Sequence, residues 1–109
     1  MPGPLDHLIV IEAAQSMPAA IAAPLLADHG ADVTKVEPRG GAFFAHDRTR
    51  KAWDRGKRSV ELDIADAADQ ERLRGLLAGA DIFLHAMEEK EAAAIGLDEA
   101  SLKRAFPAL

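Results

Sequence analysis

The sequence contains no cysteine, which removes disulfides, thiolate nucleophiles and Cys-based zinc sites together while leaving the redox compartment open. It also has no long hydrophobic run. No stretch approaches the ~18 apolar residues of a membrane span, and Met1 to Ile11 carries Pro, Asp and His where a signal peptide needs a basic start and an apolar centre. The expectation is a soluble protein with a cytoplasmic home and no membrane partner. Positive charge is in short supply: 13 Lys and Arg against 18 Asp and Glu leave a net charge of −5. The chain as a whole therefore draws in neither nucleic acid nor an anionic membrane, and any anion site must be local. Metal donors are scarce too, since His7 and His46 have no partner at ligand spacing and no Asp/Glu cluster forms a cage. Repeats and low-complexity stretches are lacking.

What is there suits one domain and not two: 109 residues, 49% of them apolar, are enough for a single modest core. Leu8 to Ile11 is a short apolar, partly β-branched run, the pattern of a strand buried on both faces. From Pro18 to Asp28 strong helix formers dominate, with Pro18 suited to a first turn and Gly30 to a left-handed position past the end. Pro24 conflicts with that helix; either the helix starts later, with Pro24 in its first turn, or it bends. Ala31 to Glu37 alternates polar and apolar residues before Pro38-Arg39-Gly40-Gly41, as a second strand ending in a turn. Ala42 to Lys57, with Phe43, Phe44 and Trp53 among basic residues, shows no period and reads as a long loop of the kind that often carries function. Ser59 to Leu62 reads as a third strand. A helix capped by Asp63 or Asp66 follows, with an apolar face at Leu73, Leu76 and Leu77, stopping at Gly79. Ile82 to Leu84 is a fourth strand. Glu88 to Ile95 reads as a helix ended by Gly96, and Asp98 caps a last one running toward Phe106 and Pro107. The order β-α-β-loop-β-α-β-α-α predicts an α/β fold with a parallel, doubly wound sheet and right-handed crossovers.

Such a unit invites comparison with dinucleotide domains, because Glu37 at the end of the second strand imitates the acid that binds a ribose. The loop Glu12-Ala13-Ala14-Gln15-Ser16-Met17-Pro18 has no glycine to admit a pyrophosphate. No lysine follows a Gly-rich loop either, since Gly40-Gly41 precedes Ala42-Phe43-Phe44, which argues against nucleoside triphosphate chemistry.

Three segments carry more specific information: Leu25 to Pro38 (LLADHGADVTKVEP), Arg55 to Asp63 (RGKRSVELD) and Ala80 to Leu84 (ADIFL), with Ile95-Gly96-Leu97-Asp98 and the closing Pro107-Ala108-Leu109 extending the pattern. In this order they closely resemble the amino-terminal segment of the class III CoA-transferases, the family of formyl-CoA and crotonobetainyl-CoA:carnitine transferases and of α-methylacyl-CoA racemase. The resemblance implies a Rossmann-like, three-layer α/β/α half-domain over residues 1–109, with a mostly parallel sheet of about four strands, that handles coenzyme A. It implies acyl-CoA as substrate with no tightly bound cofactor, and a longer parent chain that forms an interlocked homodimer. In the transferases an aspartate carboxylate attacks the thioester to give a mixed anhydride, which divides acyl transfer into two easier steps. That aspartate lies downstream of the matched segment, so no catalytic residue is expected here, and the chain reads as a fragment inactive by itself.

The resemblance also assigns binding residues. After the first strand, relatives carry His or Arg, a Gln and then Ala-Gly-Pro, where this chain has Gln15, Met17 and Pro18-Ala19-Ala20. After the second strand some members place an arginine at the position of Pro38, with Arg39 next to it here. Lys57 and Arg58 match a basic pair suited to the phosphates of CoA. His85 follows the fourth strand, where ligands of open α/β sheets bind. There the family reads Glu-Asn-Phe and a Pro-Gly pair, against His85-Ala86-Met87 and Glu88 to Glu91 here. The expected site is the carboxyl edge of the sheet with Gln15, Met17, Lys57 and Arg58.

Plainer readings stand beside these. His29 complements a helix end; Phe43, Phe44 and Trp53, which have the rings to stack on adenine, instead cover a core or meet the missing partner; Glu88 to Glu91 form a solvated first turn. At the level of function, the added carboxylates and Ala19-Ala20 fit a non-catalytic scaffold or dimerisation half, and a racemase half shares every feature above.

Overall fold

The computed structural model describes residues 3–13, 17–38 and 56–109, without the side chains of Met17 and Ala20. The long loop with Phe43, Phe44, His46 and Trp53, and the site candidates Gln15 and Arg39, lie outside the described residues.

Four strands form one sheet in the order β3-β2-β1-β4, with β1 at Ile9–Glu12, β2 at Asp32–Glu37, β3 at Lys57–Glu61 and β4 at Ile82–Leu84. Every pairing is parallel: Val10 lies opposite Val33, Val36 opposite Val60 and Ile11 opposite Phe83. The helices are α1 at Met17–Asp28, α2 at Ala67–Ala78, α3 at Glu89–Ala94 and α4 at Glu99–Ala105. Among the described residues, no helix is long and apolar enough to cross a membrane.

Because successive strand residues face opposite sides of a sheet, the core divides in two. Val10 and Val33 pack with Ala23 of α1 and with Ala31. Ile11, Val36 and Leu62 pack with Leu73 and Leu77 of α2, together with Ala92, Leu97 and Leu102. Thus α1 covers one face, and α2, α3 and α4 cover the other, which makes three layers. The strand order requires this arrangement: the β1-to-β2 and β3-to-β4 crossovers run in opposite directions along the sheet, so crossovers of one hand deposit their helices on opposite faces.

Local signals place most element ends. The Asp66 side chain accepts the Asp69 N–H at the start of α2, and Asp98 accepts the Ser101 N–H at the start of α4. Asp63 is not a cap; its N–H donates to the buried Asp69 carboxylate at 2.8 Å. Gly30 (φ +107°) and Gly96 (φ +73°) take the positive-φ positions after α1 and α3. Two outcomes needed the tertiary structure. Pro24 sits inside α1 and is fully buried, so packing offsets the missing N–H, and the helix does not wait for Pro24 to begin. Strand β3 starts at Lys57, opposite Val33, rather than at Ser59, which takes the basic pair out of the loop and into the sheet.

Candidate functional site

The direction in which successive strands are added to the sheet reverses between β1 and β4, and in open parallel sheets the crevice at the carboxyl ends of such strands is where ligands enter. Here those ends are joined: the Ala13 N–H donates to the Leu84 carbonyl at 2.8 Å. On the β1 side the chain continues to α1, which Met17 opens. On the β4 side the next residue is His85, which is exposed. Its Nδ1 accepts the Met87 N–H at 3.2 Å, so in the neutral ring the proton sits on Nε2, leaving that nitrogen as a donor. The Phe83 ring lies with its centroid 5.1 Å away.

A cavity of about 350 Å³ opens beside this imidazole, lined by Phe83, His85, Glu99, Leu102, Lys103 and Leu109. Its apolar lining is Phe83, Leu102 and Leu109, and its charged lining is the Lys103–Glu99 ion pair at 2.9 Å. The hydrogen bond with Glu99 holds the Lys103 ammonium above the ordinary lysine pKa, and the same bond with Lys103 holds Glu99 below the ordinary glutamate value. A second hollow of about 100 Å³ lies at the carboxyl ends of β1, β2 and β3, lined by Ala13, Val36, Pro38, Leu62, Asp63 and Ile64. Among the described residues, no group of three or more His, Cys, Asp or Glu is placed to hold a metal ion.

The structure does not bring Lys57 and Arg58 together on the carboxyl edge. Both backbones lie at the amino end of β3, and as neighbours in a strand they face opposite sides. The Lys57 side chain is 1% exposed, with Nζ 2.8 Å from Glu12 Oε2. The Arg58 side chain is 76% exposed and pairs with Asp32 at 3.3 Å. His29 donates from Nδ1 to the Leu25 carbonyl at 2.7 Å and so satisfies the end of α1. Of the sequence candidates among the described residues, His85 directly follows the carboxyl end of β4, and Met17 opens α1 after β1.

Sequence reasoning missed the polar layer beneath α1. Glu12, Lys35 and Glu37 are 0%, 1% and 6% exposed; Lys35 pairs with Glu37 at 3.3 Å, and Ser59 Oγ donates to Glu37 at 2.9 Å. A signal was present, because a carboxylate closing an apolar strand that is buried on both faces needs a partner. The cavity residues Phe83, Leu102, Lys103 and Leu109 gave no comparable signal.

Comparisons with known proteins agree with this architecture. Residues 5–109 match the sequence profile of CoA-transferase family III. The chain is 38% identical to a succinyl-CoA:mesaconate CoA-transferase of Haloarcula hispanica, over 75% of this chain and 24% of that protein. It is 34% identical to a succinate–glutarate CoA-transferase of Agrobacterium fabrum, over 97% of this chain and 30% of the relative. Among solved structures, a CAIB/BAIF family protein from Brucella suis superposes with a TM-score of 0.87 at 30% identity, covering 97% of this chain and 32% of that one. The orthorhombic form of Rv3272 from M. tuberculosis does so with a TM-score of 0.89 at 30% identity, over 98% of this chain and 30% of that one. The chain thus spans about a quarter to a third of the length of these four proteins.

Proposed function

The chain belongs to CoA-transferase family III, and from that premise we propose that it is the CoA-holding amino-terminal part of an acyl-CoA:carboxylate CoA-transferase. The observation that carries this reading is the joined carboxyl ends of β1 and β4, with the exposed His85 directly after β4 lining an apolar cavity against α4. At about 350 Å³ that cavity is at the small end of ligand pockets, which run from about 300 to 1,000 Å³. It takes one apolar portion of an acyl-CoA and leaves the rest along the edge. Gln15 and Met17 are assigned to the same crevice, and Arg39, which follows Pro38 past the end of β2, to the phosphates. Lys57 and Arg58 are not assigned to them, the first being held in a buried ion pair and the second lying at the amino end of the sheet.

In the reaction, a carboxylate adds to the thioester carbonyl; the new C–O bond forms as the C–S bond breaks, and CoA leaves as a thiolate that later takes up another acyl group. Holding the CoA portion while the acyl group changes hands is the task this half-domain suits. The attacking aspartate is assigned to polypeptide outside these residues, in keeping with the share of the relatives that the chain spans.

A second reading has its own observation. Another hollow beside His85, of about 320 Å³, is lined by Glu89, Asp98 and Glu99 as well as Met87 and Ala92, and carboxylates there repel a polyphosphate. That favours a scaffold half with little CoA affinity.

Titration calorimetry of CoA into the chain separates the two. Saturable binding without acyl transfer is expected. His85→Ala should weaken it about tenfold, the worth of one hydrogen bond to a charged group, and Arg58→Ala by less than about twofold, as befits an exposed ion pair. Absence of binding at millimolar CoA sinks the transferase half in favour of the scaffold. Transfer by the chain alone removes the need for an external aspartate; in the longer parent protein, exchange of an α-proton with solvent without transfer selects a racemase.

A further inference from the structure

We infer that Lys57 is a positioning residue that acts through Glu12, its buried ion pair holding the carboxyl end of β1 in the place the crevice requires. Lys57 Nζ lies 2.8 Å from Glu12 Oε2 and 3.3 Å from Oε1, with the two side chains 1% and 0% exposed. The pair joins strands that are not neighbours, since β2 runs between β3 and β1. Adjacent strands are about 4.8 Å apart, so the link crosses about 10 Å, a span that a lysine and a glutamate cover together and short side chains do not. On the same face, in register beside Glu12, Lys35 pairs with Glu37, which also accepts from Ser59. Beneath α1, the carboxyl halves of β1 and β2 are therefore tied to β3 by charge and hydrogen bonds rather than by apolar packing.

An apolar contact tolerates sliding; a buried ion pair does not, because desolvated charges recover their cost only in good geometry. Glu12 is the last residue of β1, and the next residue, Ala13, makes the N–H···O=C bond to Leu84 that joins the two strand ends at the crevice. Fixing Glu12 fixes the point from which the chain turns toward α1. Lys57 accordingly influences ligand binding without touching ligand. The effect on binding rests on the CoA reading above; the effect on the position of β1 does not.

The test uses the whole chain with Lys57→Met and with the double variant Glu12→Gln/Lys57→Met. Affinity is measured for CoA and for pantetheine, which has no phosphate, and amide exchange is followed at Ala13 and, as a remote reference, at Leu102 in α4. Lys57→Met should weaken CoA and pantetheine by the same factor, about tenfold, as misplaced binding groups do. It should speed exchange at Ala13 more than at Leu102. Removing both charges of a buried pair is milder than removing one, so the double variant should return both readouts most of the way to wild type. A loss confined to CoA makes Lys57 a phosphate contact and overturns the inference, as does equal acceleration at Ala13 and Leu102, or a double variant no better than the single. If the wild type binds neither ligand, the CoA reading fails while exchange at Ala13 still decides the positioning role. Should Lys57→Met not fold, a folded double variant with wild-type protection at Ala13 supports the inference, and one equally unfolded overturns it.

Discussion

Gly30 ends α1 with φ +107°, and a Cβ placed there would run into the Asp6 carboxylate and close against Gly3. Asp6 in turn accepts the Gly3 N–H, so this corner is packed from both sides. Gly30→Ala should cost about 1–3 kcal/mol, the usual range for a side chain forced into a sparsely populated conformation; urea unfolding reads it as a lower midpoint. An unchanged midpoint would mean that the corner yields. Lys57 and Arg58 teach a complementary lesson at the same scale. They are chemically alike and adjacent, yet a strand turns one into the interior and the other to solvent. Residue type suggested a phosphate pair, while strand geometry separates it.

Among the elements, α4 is short and depends on exposed charges. The Asp98 carboxyl is held below the ordinary aspartate value, first by its hydrogen bonds with Ser101, and Glu99 and Lys103 are shifted by the bond between them. A carboxyl depressed in the fold stabilises it fully above the unfolded value, and that contribution is lost as pH falls through the lower folded one. Lys103, raised in the fold, contributes fully below the unfolded lysine value and loses its contribution as pH rises through the folded one. Opening of α4, measured by amide exchange with the intrinsic rate divided out, should therefore be lowest near neutrality and increase toward both acid and alkali. High salt should weaken the Glu99–Lys103 share, since both partners are exposed. Acid sensitivity that survives in Asp98→Ala at high salt would remove the cap from the explanation.

For the molecule as a whole, stability rests on two thin cores on either side of one sheet. Leu77 is fully buried in the larger one, so Leu77→Ala should cost about 2–5 kcal/mol. A domain's total is only about 5–15 kcal/mol, so thermal melting should show a large fall or no folded baseline. Leu25, 51% exposed on α1, should change stability by less than about 0.5 kcal/mol on the same substitution. Equal effects would place the core elsewhere.

The amino-acid sequence by itself determined the order of strands and helices, the cap at Asp98, the left-handed turn at Gly30, the helix end at Gly96, the parallel α/β class and the family. These depend on local conformational preference or on ordered motifs, and both are carried by residues close together in the chain. Only the tertiary structure decided where β3 begins, whether Pro24 is tolerated, and which polar residues go inside. The alternation of Asp32 to Glu37 separates two faces of a strand, but which face is covered depends on helices elsewhere in the chain. Glu12 and Lys57 look unrelated in the sequence because the residues that pair a buried charge are brought together by strand order, and strand order is a property of the assembled sheet.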